Sequence, residues 1–169
     1  RWTDRDLGVV TPDVFIPLAE ERGIIGPLSQ LLLQKATQTA NQWPDELFLS
    51  FNLSPSQLVD QNTAQHVLAI LERTGFDSRR LEIEITESGL MTDPASAEKI
   101  VGDLHAMGIR VALDDFGTGQ SSLGRLRQFD FDKLKIDRSF VSSILDDKPS
   151  EHIIRAILAM CEGLGMEVV

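Results

Sequence analysis

The side chains with most chemical potential in this chain stand at the ends of short apolar runs. Residues 111–123 read VALDDFGTGQSSL, so Asp114 and Asp115 fall where a hydrophobic strand gives out and a glycine loop begins. A turn would explain one such Asp-Gly cluster, but the arrangement recurs. LFLSFNLS (47–54) sets Asn52 near its end, LEIEITES (81–88) sets Glu84, and DKLKID (132–137) sets Lys135. One amide and three carboxylates form a hard-oxygen set suited to Mg²⁺ or Mn²⁺. Adjacent aspartates can bridge or flank two ions, and two ions stabilise the attacking and leaving oxygens of a phosphodiester hydrolysis. Lys135 suits holding a nucleophilic water or neutralising charge that develops on phosphate; its plainer reading is an internal ion pair. Nothing suggests zinc, since His66, His105 and His152 all read as helix residues and Cys161 as core.

Those residues need elements to position them. Helices are expected from Pro12 and Pro27, each placed at a first helical position, with Leu28, Leu31, Leu32 and Trp43 recurring after the second. Further helices are expected over 63–74 up to Gly75, from Asp93-Pro94 to Gly108, and from Pro149 to near Gly165. Strands at 47–54, 81–88, 109–115, 132–137 and 166–169 alternate with them, which means parallel βαβ units. Asn52 to Glu84 is 32 residues and Glu84 to Asp114 is 30, close to the roughly 31 per unit of a (β/α)8 barrel. A doubly wound open sheet has similar spacing. Along each strand one face is apolar (Leu49, Phe51, Leu53; Leu81, Ile83, Ile85; Val111, Leu113; Leu134, Ile136) and the other polar (Ser50, Asn52, Ser54; Glu82, Glu84, Thr86; Ala112, Asp114; Lys133, Lys135, Asp137). If helices cover the apolar face, the polar face points into a barrel. Carboxylates there cost several kcal/mol each unless Lys135 or a metal compensates them.

Bulk properties fit this reading. The 169 residues, 42% hydrophobic and 25% charged, suffice for one domain with a core. A net charge of −10 argues against a nucleic-acid polymer as partner. The longest apolar run, Ala156–Cys161, is far too short for a membrane span, and the lone cysteine fits a reducing, cytoplasmic setting, whether in a free protein or in the cytoplasmic part of a membrane-attached one. Asp115-Phe116-Gly117 spells a kinase motif without the other kinase signatures, and the Gly117/Gly119 loop lacks a P-loop lysine. That loop reads as a mobile segment needing permissive backbone angles.

FNLSPSQL (51–58), EITES (84–88), DDFGTGQSSL (114–123) and KLKIDRSFV (133–141) resemble, in order and spacing, the EAL-domain phosphodiesterases. FIPLAEERGII (15–25) and the opening Arg1-Trp2 fit as well. The resemblance implies a TIM-barrel-like fold, a modified (β/α)8 barrel with an antiparallel first strand, and hydrolysis of the bacterial second messenger cyclic di-GMP to linear pGpG with two Mg²⁺ or Mn²⁺ ions. It implies that Asn52, Glu84, Asp114 and Asp115 are metal ligands, that Lys135 contacts the attacking water, that Glu87 anchors the loop after the aspartates, and that Arg1 contacts the ligand. It also implies a possible homodimer through that loop and fusion to a GGDEF cyclase or sensory domain. Residues 1–169 are expected to be part of such a domain, with the signature glutamate before Arg1 and the final strand and loops after Val169, and to be inactive by themselves. Gln120 stands where the family usually has an aromatic. The rival readings are an inactive EAL module that senses cyclic di-GMP and, apart from the family, a Mg²⁺-dependent barrel lyase or aldolase.

Overall fold

A computed structural model of the protein describes residues 2–117, 128–142 and 148–169. It opens with an antiparallel hairpin, β1 (Trp2–Asp4) and β2 (Gly8–Val10). Next come α1 (Pro12–Glu21), α2 (Ile25–Ala40), β3 (Leu49–Leu53), α3 (Thr63–Thr74), β4 (Leu81–Thr86), α4 (Glu87–Thr92) and α5 (Pro94–Ala106). The described remainder is β5 (Arg110–Phe116), β6 (Lys133–Ile136), α6 (Arg138–Ser142), α7 (Lys148–Leu164) and β7 (Glu167–Val168).

Strands β3 to β7 form one parallel sheet in strict chain order. A doubly wound sheet reverses its order at a switch point. No reversal occurs among the described strands, so the sheet is wound in one direction, as the wall of a barrel is. The punctuation follows the sequence closely. Asp93 caps α5 by accepting hydrogen bonds from the Ser96 amide (3.2 Å) and hydroxyl (2.7 Å), with Pro94 in the first turn. Gly75 ends α3 in the left-handed region at φ 67°.

Three local readings are corrected. The hairpin is additional to the expected elements; its turn is built on Asp4, whose Oδ1 accepts from the Asp6 and Leu7 amides, and Trp2 meets Phe15 of α1 edge to face. Helix α2 begins at Ile25, which makes Pro27 its third residue, still among the amides that lack an intrahelical partner. The buried stripe of α2 is Ser29, Leu33, Thr37 and Ala40, while Leu31 and Leu32 line an open groove with Trp2, Phe15 and Leu18 and Trp43 lies beyond the helix end. The apolar leucines gave a plausible helical phase. The real phase uses two small hydroxyl residues, one of which satisfies itself by donating from Thr37 Oγ1 to the Leu33 carbonyl.

The expected faces are otherwise present. Leu81, Ile83, Ile85, Val111, Leu113 and Leu134 are fully buried together with Ile100, Leu104 and Cys161 from the helices. The opposite face carries charge in two levels. At the lower level Glu82 of β4 pairs with Lys133 of β6 at 2.7 Å, both buried, with Arg110 of β5 at 3.8 Å from the same carboxylate. The Phe48 ring lies against both cations, 4.6 Å from the Arg110 guanidinium and 4.8 Å from Lys133 Nζ. Glu82 is level with Arg110 and Lys133 with Ala112 on the intervening strand, so the pair runs diagonally across β5, past the small alanine side chain.

Removing one member of a buried pair leaves the other charge unpaired, which costs about 3–5 kcal/mol. Lys133→Met should therefore lower the urea midpoint of unfolding strongly, and Glu82→Leu combined with Lys133→Met should recover most of the loss. A single variant as stable as the parent protein would show that the pair bears no such load.

Candidate active site

Two residues further along the same strands the pairing repeats, and here it reaches the mouth of the barrel wall. Asn52 and Glu84 are direct register partners on β3 and β4, and Thr86 is level with Asp114 on β5. Lys135 of β6 donates from Nζ to Glu84 Oε2 at 2.8 Å and to Asp114 Oδ2 at 3.1 Å. Ser50, one pleat below Asn52, donates its hydroxyl to the other oxygen of Glu84. Asn52, Glu84, Asp114 and Lys135 thus converge from four neighbouring parallel strands.

Asp115 arrives differently. Between β5 and β6 the register runs Leu113 to Leu134 and then Phe116 to Ile136, so that β5 carries one extra residue at this point. Asp115 takes the strain of that bulge at φ 54°, a left-handed conformation in which aspartate is one of the few tolerated side chains. Without the bulge, Asp114 and Asp115 would point to opposite faces. Glu87, the first residue of α4, is almost fully buried and accepts the Gly117 amide at 3.0 Å on Oε2.

The charges respond to this crowding. Burial works to raise the Glu84 carboxyl, but hydrogen bonds from Lys135, Ser50 and Asn52 and the Lys135 charge outweigh it and bring the group below the ordinary carboxylate range. Burial disfavours the Lys135 ammonium, yet its bonds to Glu84 and Asp114 hold its pKa above the usual lysine value. Asp115 is pushed up by its own burial, then by the charges of Asp114, Asp137 and Glu84, with Lys135 only partly offsetting them. Among the described residues Glu84, Asp114, Asp115 and Asp137 share the Lys135 ammonium, with Arg138 acting on Asp137 alone, so negative charge is in surplus.

That surplus, and the oxygens that carry it, fit a hard divalent cation. Among the described residues no three His, Cys, Asp or Glu side chains form a ready metal-holding group. Lys135 spans the gap between Glu84 and Asp114 instead, and Asn52 supplies an amide oxygen. The histidines take no part: His66 and His152 are exposed on helices, and His105 pairs with Asp132 at 3.0 Å on α5. Arg1, Gln120 and the loop proposed for dimerisation lie outside the described residues, apart from its first turn at Gly117. Two contributors escaped the sequence reading. Ser50 and Asp137 were both visible only as polar residues in alternation; the Ser-x-Asn and Lys-x-Asp spacings on an inward face were the signals for them.

A cleft of ≈ 590 Å³ opens beside these residues, lined by Asn52, Thr86 and Asp115 on one side and by Phe15, Ile16 and Leu32 on the other. No helix among the described residues is long and apolar enough to cross a membrane.

The chain is similar to known proteins over nearly its whole length. Protein y4lL of Sinorhizobium fredii is 44% identical over 98% of this chain, which spans 20% of that protein. The bifunctional diguanylate cyclase/cyclic di-GMP phosphodiesterase MucR of Pseudomonas aeruginosa is 34% identical over the whole chain, which spans 25% of MucR. The chain thus covers only a fifth to a quarter of these relatives. A solved MucR phosphodiesterase in complex with cyclic di-GMP superposes with a TM-score of 0.92 at 33% identity, covering 99% of this chain and 70% of that one. A calcium and cyclic di-GMP complex of Klebsiella pneumoniae BlrP1 does so at 0.77 and 28% identity, covering 85% and 37%. The family model for the EAL domain matches residues 1–169, and with it this chain belongs to the EAL domain family, its sheet a part of that family's TIM-barrel-like fold.

Proposed function

We propose that the protein containing this chain hydrolyses cyclic di-GMP to linear pGpG with the help of two divalent cations, Mg²⁺ or Mn²⁺. The observation that carries the proposal is Lys135 held between Glu84 and Asp114, with Asn52 and Asp115 at the same mouth of one barrel wall. In this reading Asn52, Glu84, Asp114 and Asp115 hold the cations, which when bound would supply Lewis acidity toward water and the phosphate oxygens. Lys135 keeps its proton on Nζ and has a third N–H free of Glu84 and Asp114 to orient the attacking water or meet charge on the phosphate. The ≈ 590 Å³ cleft is wide enough for a base and sugar, with the Phe15 and Ile16 wall supplying apolar contact. Arg1 would contact the ligand, and Glu87 would anchor the loop that follows the aspartates. A cyclase domain in the same protein, a dimer contact through that loop and a cytoplasmic site of action complete the proposal; the first is in line with the bifunctional name of MucR.

In the intact protein, Asp114→Asn should cut turnover by more than about 100-fold at saturating Mn²⁺, since changing even outer partners of metal ligands costs about 10–100-fold. Circular dichroism should stay unchanged, because the amide is isosteric. Near-normal activity would mean that the aspartate pair is structural.

Lys135→Met should lower kcat by about 10²–10³, the usual cost of removing one positioned donor, while cyclic di-GMP still binds. The measurement is product formation with ligand affinity in parallel, with and without a chelator. Tight binding by the parent protein with no cleavage at saturating Mn²⁺ would leave a sensor in place of the enzyme.

A further inference from the structure

The left-handed turn that aims Asp115 into the mouth has to be held, because a side-chain-bearing residue at φ 54° is strained. One hold is the Glu87 carboxylate on the Gly117 amide. The other side of Gly117 is occupied by an aromatic ring. A Cβ built on Gly117 would fall 2.6 Å from Cε2 and 3.0 Å from Cζ of Phe140, so the ring lies directly against the glycine α-carbon. Gly117 itself stands at φ 102°. This position therefore excludes a side chain twice, by backbone conformation and by the ring.

Phe140 has little freedom to withdraw. It sits on α6, whose start is tied to the end of β6. The Phe140 amide donates to the Asp137 carbonyl at 3.1 Å, and the Ser139 amide donates to Asp137 Oδ1 at 2.9 Å. The Asp137 amide in turn donates to the Phe116 carbonyl at 3.4 Å, between Asp115 and Gly117 in the chain. The chain that leaves β6 after Lys135 thus supplies, five residues on, the ring that packs on the bulge. Phe116 is buried on the helix-facing side and fixes the third point of the turn.

We infer that Phe140 is a positioning residue for Asp115: its ring, pressing on Gly117 against the Glu87 bond, keeps the bulged turn in the one conformation that brings both adjacent carboxylates to the site. It rests on the proposed metal-dependent reading for its effect on function, though the hold itself does not. Truncating the ring removes the packing over Gly117 and leaves the turn to the Glu87 bond and the long Asp137–Phe116 bond. Asp115 then relaxes toward ordinary strand angles, where its carboxylate faces away from Asp114.

The test compares Phe140→Ala, Phe140→Leu and the parent in the intact protein, by amide exchange and by Mn²⁺ titration without substrate. In Phe140→Ala the Phe116 and Gly117 amides should exchange about tenfold faster through local opening, with residues 81–86 unchanged. Its Mn²⁺ affinity should fall about tenfold, the scale on which partners of metal ligands act. Phe140→Leu, which still fills the space over Gly117, should recover most of both. Unchanged exchange at Gly117, acceleration spread equally over residues 81–86, or faster exchange with parental Mn²⁺ affinity would each overturn the positioning role. A parent protein that binds no Mn²⁺ would sink the proposed function instead, and the exchange comparison would still decide whether Phe140 holds the turn.

Discussion

Two lysines on β6 reach across Ala112 to two glutamates on β4, and most of the arrangement at the barrel mouth depends on that crossing. An inward face of Glu82, Glu84, Lys133 and Lys135 is viable only if opposite charges meet, since each unpaired one would cost several kcal/mol. Parallel neighbours at equal height would place glutamate beside the β5 residue and out of reach of β6. The small side chain of Ala112 removes the obstacle, and the two-residue pleat then produces two pairs at two levels. The lower pair is buried among Arg110 and Phe48, and the upper one joins a buried Glu84 to a partly exposed Lys135. The same motif is thus structural below and chemically available above.

The upper level adds what the lower one lacks, an excess of carboxylate. Lys135 is already committed to Glu84 and Asp114 when Asp115 is brought in by the bulge, and Asp137 closes the fourth side. A chain under pressure only for stability would put a neutral residue there. Backbone strain, burial and like-charge repulsion fall on one residue, Asp115, and the surroundings hold it from both sides through Glu87 and Phe140. Concentrated strain of this kind is the physical mark of a site kept for a ligand that repays it.

Much of this was legible in the residues. Alternation over 81–86 and 110–116 gave the inward face correctly, because period-two patterning is the direct image of the pleat. Proline, aspartate and glycine at 93–94, 75 and 108 marked helix ends through capping geometry that depends on few neighbours. What failed was what depends on packing partners. The phase of α2 could not be taken from Leu31 and Leu32, since Ser29 and Thr37 bury only where Leu33 already meets the sheet. The sheet's sense of winding was open until strand order settled it. The bulge at Asp115 was hidden because one inserted residue leaves composition and spacing unchanged, although the adjacent aspartates could share a site only if one of them left the strand geometry.

The position of Lys135 bears on how the site can act. In the proposed reading a divalent cation would draw on the same two carboxylates that Lys135 holds, Glu84 and Asp114, each with lone pairs beyond those the ammonium uses. The contacts of 2.8 and 3.1 Å keep both carboxylates charged in a mouth crowded with acidic groups. A cation at those oxygens would repel the ammonium by a few kcal/mol at effective dielectric constants near 20, and the flexible lysine stem lets Nζ move without disturbing β6. Lys135 keeps 29% of its side chain exposed, whereas Lys133 is buried against Glu82 one level below, so of the two pairs only the upper one has room to rearrange around a ligand.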